Sequence, residues 1–430
     1  MKILVLGGYG LIGQAVCRAL IARNYDVVGL GRNEAKGRAL LPQAQWVAAD
    51  MSRMTTPQDW LKILPNIDVV VNCAGVLQDG LKDNVARVQF DAVKALTEAC
   101  LENGVMRLVQ VSAPGVSEDA DTLFYRTKWQ ADEHIKSSGV TWTIFKPGLV
   151  ISPQSYGGTS LIRMLAAFPF VQPLMQPKTP VQTVHVEDVA HAVSEAVEGK
   201  CDNKCFDLME DTPQTLLGVV RSFRSWLGWK ADVPVLKTTM LMGRVIGLGA
   251  DIAGWLGWRP ALKSTSLKVM ARGVTGDPAP WRNHNGQSLK TLDETLRTIP
   301  STAQERVFAR VQLAFAPVLL VYSLFWVLSG VIGLFQRQVA IDVLTGVMPS
   351  NMAQGCVVGG ALIDIGIGLC VFVRPWFRHA LLASIFVCLA YLIGGAMLVP
   401  ALLFDPLGPL VKVLPVIALA LFLMAAGEER

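Results

Sequence analysis

For its first 150 residues the chain alternates short apolar runs with stretches of helical spacing. Residues 2–6 (KILVL) are apolar without interruption, as a strand buried on both faces of a parallel sheet must be. Similar runs predict strands at 26–30, 46–50, 68–75, 107–113 and 141–148. Apolar positions at helical spacing over 12–22, 85–103 and 123–138 fall between them. Strands alternating with helices predict βαβ units and a doubly wound parallel sheet, an α/β fold.

After residue 150 this rhythm loosens. Residues 179–199 read as a strand or loop followed by a helix. Residues 238–258 are apolar but broken by glycines, Arg244 and Asp251, so a helix at a substrate site or membrane surface fits better than a span. The stretch 151–305 is expected to include a small cap subdomain, which completes a first domain over 1–305.

The pattern then changes again. Residues 311–335 carry no charge and are long enough to cross a hydrocarbon core of ~30 Å at ~1.5 Å per residue. Three more candidates follow at 353–373, 380–404 and 406–426. The expected second domain, 306–430, is therefore an all-α bundle of four transmembrane helices in the lipid bilayer. Arg306, Arg310, Arg374 and Arg378 flank one side, against Arg337 and Asp405 on the other. An excess of cations marks the cytoplasmic side, which puts both termini and the first domain in the cytoplasm of an inner-membrane protein. The N-terminal apolar run enters a glycine turn with no cleavage site, and reads as a strand rather than a signal peptide. Asp364 and Lys412 fall inside spans, where they could pair or line a polar cavity; Lys412 could also snorkel.

Composition adds limits. The 39 basic and 34 acidic residues are dispersed, with no basic run interleaved with aromatics, so nucleic acid is not expected as a partner. The eight cysteines are scattered; the close pair Cys201 and Cys205 lacks a second ligand pair, so no metal site is expected.

The candidate chemistry starts at the first turn. Gly7-Gly8-Tyr9-Gly10-Leu11-Ile12-Gly13 fits two registers, one through Gly7, Gly10 and Gly13 and one through Gly8, Gly10 and Gly13. It follows a strand and opens a helix, the context in which glycines let backbone N–H groups approach a pyrophosphate at a helix N-terminus. Arg32 stands at the end of the second strand, where an acidic residue would bind a ribose 2′-hydroxyl. A cation there favours NADP(H) over NAD(H), unless Arg32 stacks on adenine. Asp50, with Met51 after it, could bond the adenine amino group or cap the following segment.

Together these residues make the chain resemble the short-chain dehydrogenase/reductase superfamily over residues 1 to about 300. The likeness is to its extended and atypical NAD(P)-binding branch, which includes the accessory subunit of respiratory complex I. The resemblance implies a Rossmann domain and matches Gly7, Gly10 and Gly13 to the glycine motif and Asp50 to the adenine contact. It sets Asn72-Cys73-Ala74-Gly75 beside the cofactor and Ser112 at the fifth-strand serine. It sets Lys146-Pro147-Gly148 near the nicotinamide, and matches His185 to Ala190 to a downstream segment of the branch.

The branch's Tyr-x-x-x-Lys pair uses the lysine to hold the ribose and lower the tyrosine pKa. Lys128 matches the lysine; four residues before it stands Phe124, and Tyr125 stands three before. Both spacings share a helix face, so Tyr125 is the candidate phenol, rotated ~100° about the axis from the usual position. Ser112 either holds a substrate carbonyl or is a satisfied strand-end hydroxyl. The C-terminal spans resemble the DoxX-like membrane family.

The expected function is a membrane-anchored oxidoreductase that uses the dinucleotide on an apolar substrate, a quinone or a lipid-type carbonyl. The alternative is a catalytically silent NAD(P)-binding protein that assembles or senses with a membrane protein partner.

Overall fold

The computed structural model describes residues 1–80, 84–155, 157–258, 260, 264–406 and 408–428. Residues 156, 259 and 261–263 of the expected cap, and Leu407 of the fourth expected span, lie outside them. The chain forms two compact units, Met1–Asp251 with Ala261–Arg306, and Ile252–Pro260 with Val307–Arg430.

The first unit is built on a seven-stranded sheet. Its first six strands are β1 (Lys2–Leu6), β2 (Asp26–Gly31), β3 (Gln45–Ala48), β4 (Val69–Asn72), β5 (Arg107–Val111) and β6 (Trp142–Pro147). Each lies within one to three residues of its expected range, as hydrogen bonding ends a strand where apolar sequence runs on into a turn. A seventh strand, Lys204–Leu208, was not expected. It adds to β6 at the edge, with Lys204 exposed, and its mixed sequence KCFDL hides it. The order is β3-β2-β1-β4-β5-β6 and then Lys204–Leu208, every pair parallel. The order reverses direction between β1 and β4, the switch point where such sheets hold ligands beyond their C-terminal strand ends.

The apolar runs are buried because both sheet faces are covered. One core joins Ile3, Val5, Val71 and Phe145 to helices Leu11–Ala22 and Val186–Val197. The other joins Leu4, Leu6 and Val70 to Leu96, Cys100 and Ile135 of helices Ala92–Glu102 and Leu123–Ser137. The smaller part is made of short strand pairs, Thr183–His185 on Leu149–Ile151, and Val235–Lys237 on Gln172–Leu174. Glu210, 2% exposed, staples it by accepting from Thr183 N and Oγ1, Gln214 Nε2 and Leu292 N.

Among the described residues of the second unit three helices are long and apolar enough to cross a membrane, Ala303–Phe335, Ser350–Val371 and Phe377–Leu398. Two expectations are corrected. The third span stops at Leu398 rather than 404, because Val399, which precedes Pro400, leaves the helical region at φ −132° and ψ 72°, and proline disfavours helical backbone in the residue before it. The fourth span shrinks to the 14-residue helix Val413–Ala426. Pro406, Gly408 (φ +56°) and Pro409 hold the preceding residues in turns, leaving a helix of about 21 Å, short of a ~30 Å core.

Small residues let these helices approach closely. A Cβ on Gly330 would lie 2.3 Å from Ala361 O, and Ser323 Oγ donates to Gly368 O at 2.7 Å. Asp364, 4% exposed, accepts from Ser329 Oγ and from Tyr391 OH, each at 3.0 Å, so hydroxyls from two other helices satisfy it. Lys412 does not share that site; it is exposed at the N-terminal cap of Val413–Ala426. Trp258, from the short inserted segment, packs against Phe315 and Phe377, and its Nε1 donates to Phe372 O at 2.6 Å.

Candidate dinucleotide site

The glycine turn connects β1 to helix Leu11–Ala22 and leaves no room for side chains. Gly7 takes φ +67°, a conformation open mainly to glycine, and Gly10 N donates to Gly7 O at 2.8 Å. A Cβ on Gly13 would stand 2.2 Å from Gly7 O, and one on Gly7 would stand 3.0 Å from Ala74 Cα. The turn therefore lies tight against both its own helix and the end of β4, as a backbone cradle for a pyrophosphate requires. Helix Leu11–Ala22 has no side-chain cap at its N-terminus, so the N–H groups of Leu11 and Ile12 keep donor capacity toward an anion.

Around this turn the candidate residues fall on two sides, one at the ends of β2 and β3 and one at the ends of β4 and β5. On the first, Tyr9 lies over Gly31, where a Cβ would meet its ring at 2.3 Å. Its hydroxyl accepts from Asn33 N at 3.2 Å, and Lys36 Nζ stands 5.9 Å from its ring centre. Arg32 follows directly and is exposed. Lys36 and Arg32 thus put two cations at the end of β2. Asp50 is the cap of the turn Met51–Arg53, accepting from Ser52 N at 3.1 Å and Ser52 Oγ at 2.9 Å, with Met51 buried beneath. Its Oδ1 therefore caps this turn.

On the second side Asn72 fixes the loop after β4. Its Oδ1 accepts from Ala74 N at 3.0 Å while its Nδ2 donates to Gln110 Oε1 at 2.8 Å. Cys73, Ala74 and Gly75 are thereby held in one conformation. Lys128 Nζ lies beside this loop, 3.8 Å from where a Gly75 Cβ would stand, and donates to Val111 O at 3.0 Å. Burial holds the Lys128 ammonium below the usual lysine range. Burial also pushes Cys73 up, so it sits there as a neutral thiol. Pro147 is buried in β6 in register with Leu208, and Gly148 N donates to Leu208 O at 2.9 Å.

In helix Leu123–Ser137 the adjacent rings of Phe124 and Tyr125 meet edge to face, 5.2 Å apart, but have different further neighbours. Phe124 lies on the lysine's face, with Lys128 Nζ 5.8 Å from its ring centre. Tyr125 is 4% exposed, and the Arg272 guanidinium carbon lies 6.0 Å from its ring centre. Burial raises the Tyr125 phenol above its ordinary range, with Arg272 opposing. That direction keeps the proton on the phenol at neutral pH.

Ser112 donates from Oγ to Asp132 Oδ2 at 2.5 Å, and both are buried. Burial pushes the Asp132 carboxyl up, against the pull of Ser112 and Lys128. Asp132 is four residues after Lys128, one turn further on the same face, so its spacing was a signal the sequence reading passed over. Gln89 was also passed over. It is 3% exposed, donates to Val76 O at 2.6 Å and accepts from Thr127 Oγ1 at 2.9 Å, tying the cofactor-side loop to the lysine helix. It sits in a π-helical turn, Arg87–Asp91, a local widening frequent at functional sites. The sequence marks neither the turn nor the partners. Among the described residues no cluster of His, Cys, Asp and Glu is arranged to hold a metal ion.

Comparison with known proteins agrees with this geometry. Residues 7–200 match the NAD(P)H-binding family, and residues 323–421 match the DoxX-like family. The 2-alkyl-3-oxoalkanoate reductase of Stenotrophomonas maltophilia is 32% identical over 123 residues, 28% of this chain and 36% of that enzyme, so about a third of its length is matched. The uncharacterized sugar epimerase YhfK of Bacillus subtilis is 26% identical over 50% of this chain and 96% of its own. The photosystem II assembly factor Ycf39 of Cyanophora paradoxa is 29% identical over 34% of this chain and 44% of its own.

Among solved structures, UDP-glucose 4-epimerase of Thermotoga maritima superposes with a TM-score of 0.53 at 18% identity, over 70% of this chain and 97% of that one. The Bordetella bronchiseptica enzyme WbmH, solved with NAD+, gives 0.52 at 17%, over 69% and 95%. These likenesses establish the fold. The chain thus joins a Rossmann-fold domain that matches the NAD(P)H-binding family to a C-terminal domain that matches the DoxX-like family and holds apolar helices long enough to span a membrane.

Proposed function

We propose that this protein is a membrane-anchored NAD(P)-dependent oxidoreductase that reduces or oxidises an apolar, membrane-associated substrate, a quinone or a lipid-type carbonyl. The observation that carries the reading is the placement of Lys128, buried against the Cys73–Gly75 loop, in a chain whose other unit holds three helices of spanning length. The bound dinucleotide would supply the hydride. The glycine turn and the N–H groups of Leu11 and Ile12 would hold its pyrophosphate, Lys128 its nicotinamide ribose, and Ser112 a substrate carbonyl. Arg32, with Lys36 near it, gives NADP(H) the advantage over NAD(H). Tyr125 is the candidate proton carrier, the one phenol on that turn of the helix. The arginines that flank the spans support cytoplasmic placement of the first unit, and Arg374 Nη2, which donates to Gly427 O at 2.7 Å, would keep the far end of helix Val413–Ala426 on that same side.

One observation favours a second reading. Phe124, not a phenol, faces Lys128, and Tyr125 is buried with a raised pKa. A protein so built would hold the dinucleotide without turning it over, as an assembly or sensing protein beside a membrane partner. The test is NADPH and NADH oxidation by full-length protein in detergent, against a panel of quinones and aldehydes, with Lys128→Ala as control. Turnover by wild type that Lys128→Ala abolishes supports the enzyme. Micromolar dinucleotide binding without turnover of any panel member gives the second reading.

A further inference from the structure

The helix Met240–Trp255 is patterned the wrong way round for water. Leu241, Val245, Leu248, Ile252 and Trp255 recur at alternating spacings of four and three, the period of one helix face. All five point outward, at 72%, 63%, 61%, 62% and 63% exposure. The buried positions are Gly243, Gly247 and Gly254. Gly243 lies so close to Met175 that a Cβ would stand 2.0 Å from its sulfur, and one on Gly247 would stand 3.2 Å from Leu267. A helix in water turns its large apolar residues inward; this one turns glycines inward and leucines outward.

Exposed apolar stripes of this size mark a surface that something apolar covers. The chain itself names the covering. At Ile252, still within this helix, it passes into the unit that holds the membrane-spanning helices, and Trp258 is part of that unit's core. Sixteen residues span about 24 Å, too short to cross a ~30 Å core, and Arg244 and Asp251 interrupt them. An apolar face with polar interruptions, an outward tryptophan and too little length is the pattern of a helix lying in the membrane interface. Phe170, 81% exposed, adds a further apolar side chain just before the strand Gln172–Leu174, whose partner strand Val235–Lys237 leads into the helix.

We propose that the Rossmann unit itself enters the lipid bilayer through Leu241, Val245 and Leu248 of this helix, with Ile252 and Trp255 of the second unit continuing the stripe among the acyl chains. Asp251 lies off the lipid stripe. Its Oδ1 accepts from Gln78 Nε2 at 2.9 Å and from Ser264 N at 3.2 Å. Gln78 is three residues beyond Gly75, so the lipid-facing helix is hydrogen-bonded to the loop that leaves the cofactor site. A ligand dissolved in the bilayer would meet this helix first. The inference about lipid contact stands apart from the oxidoreductase reading, since its readout is depth and not turnover.

The test uses full-length protein in phosphatidylcholine nanodiscs with the exposed Cys356 replaced by serine. Nitroxides are placed at Leu248→Cys and Val245→Cys on the stripe, and at the exposed Glu118→Cys as an aqueous reference. The expected result is loss of access for a water-soluble nickel complex at 245 and 248, with access to oxygen retained, and full nickel access at 118. Nickel access at 245 and 248 equal to that at 118 would overturn the proposal. Spin–spin broadening at 248 that disappears on dilution with unlabelled protein would also overturn it, in favour of a second copy of the chain as the covering surface.

Discussion

Lys128 Nζ stands 5.8 Å from the ring centre of Phe124, one helical turn before it, while Tyr125 turns its ring toward Arg272. The lysine that would hold a ribose thus faces a ring with no proton to give. Phe124→Tyr puts a phenol on the lysine's face. With any substrate the wild type turns over, this variant is expected to raise kcat by about a hundredfold, the lower end of general acid–base contributions. Tyr125→Phe is expected to leave dinucleotide affinity unchanged and to lower kcat only if Tyr125 is the proton carrier. Steady-state kinetics of both variants check this.

Lys128→Ala removes the ammonium that lies beside the Cys73–Gly75 loop. Dinucleotide affinity is expected to fall by about tenfold, or roughly 1.4 kcal/mol. Arg32→Ala should instead leave NADH binding in place and erase the advantage of NADPH, a loss of similar size for the phosphorylated cofactor alone. Fluorescence titration with both nucleotides distinguishes the two effects.

Gly13→Ala tests the turn itself. Its new Cβ would meet the backbone oxygen of Gly7, which has no side-chain freedom with which to yield. The expected cost is about 1–3 kcal/mol of stability in the first unit, with loss of dinucleotide binding. Thermal unfolding with and without NADPH measures both; an unchanged midpoint and unchanged affinity would show that the turn relaxes.

Asp132 carries a pH signature. Burial raises its folded-state pKa above the unfolded value, so the folded chain holds this proton more tightly. A raised carboxyl contributes stability below the unfolded pKa, and that contribution is lost as pH rises through the folded value. Asp132→Asn keeps the shape and an acceptor for Ser112 but cannot ionise. Relative to wild type, the variant is expected to gain stability as pH rises above about 4, until pH passes the folded-state pKa of Asp132. Unfolding midpoints across that range read the difference directly.

In the membrane unit, Asp364 joins three helices through Ser329 and Tyr391. Asp364→Leu leaves two hydroxyls without their acceptor, at a cost of about 1–2 kcal/mol, while Asp364→Asn should cost less because it still accepts. Thermal stability in detergent should rank wild type, then asparagine, then leucine. The same order in a functional assay would make Asp364 a structural tie; loss of function in Asp364→Asn at full stability would give it a chemical role.

What was legible in the chain was what neighbours in sequence decide. Strands β1 to β6 announce themselves as apolar runs, and the glycine turn as a motif of seven residues. The rotation between Phe124 and Tyr125 follows from helix geometry alone. What was hidden depends on distant partners. The strand Lys204–Leu208 needs β6 beside it to be a strand at all. Arg272 reaches Tyr125 from a helix whose sequence says nothing of a site. Asp132 and Gln89 read as ordinary helix polar residues until Ser112 and Thr127 are seen bonded to them. The fourth apolar run was overread because hydropathy averages across Pro406, Gly408 and Pro409, although those residues break a helix whatever their apolar neighbours do.

The indole of Trp258 gives its hydrogen bond to Phe372, yet the ribosome makes it well before the first long apolar helix emerges. The second unit is therefore not a cassette appended at residue 306. A recombination event at that junction would deliver every long helix and still leave the place between Phe315 and Phe377 without its indole. The two parts of this chain must be inherited, transplanted or redesigned together, with the nine residues from Ile252 to Pro260 counted on the membrane side.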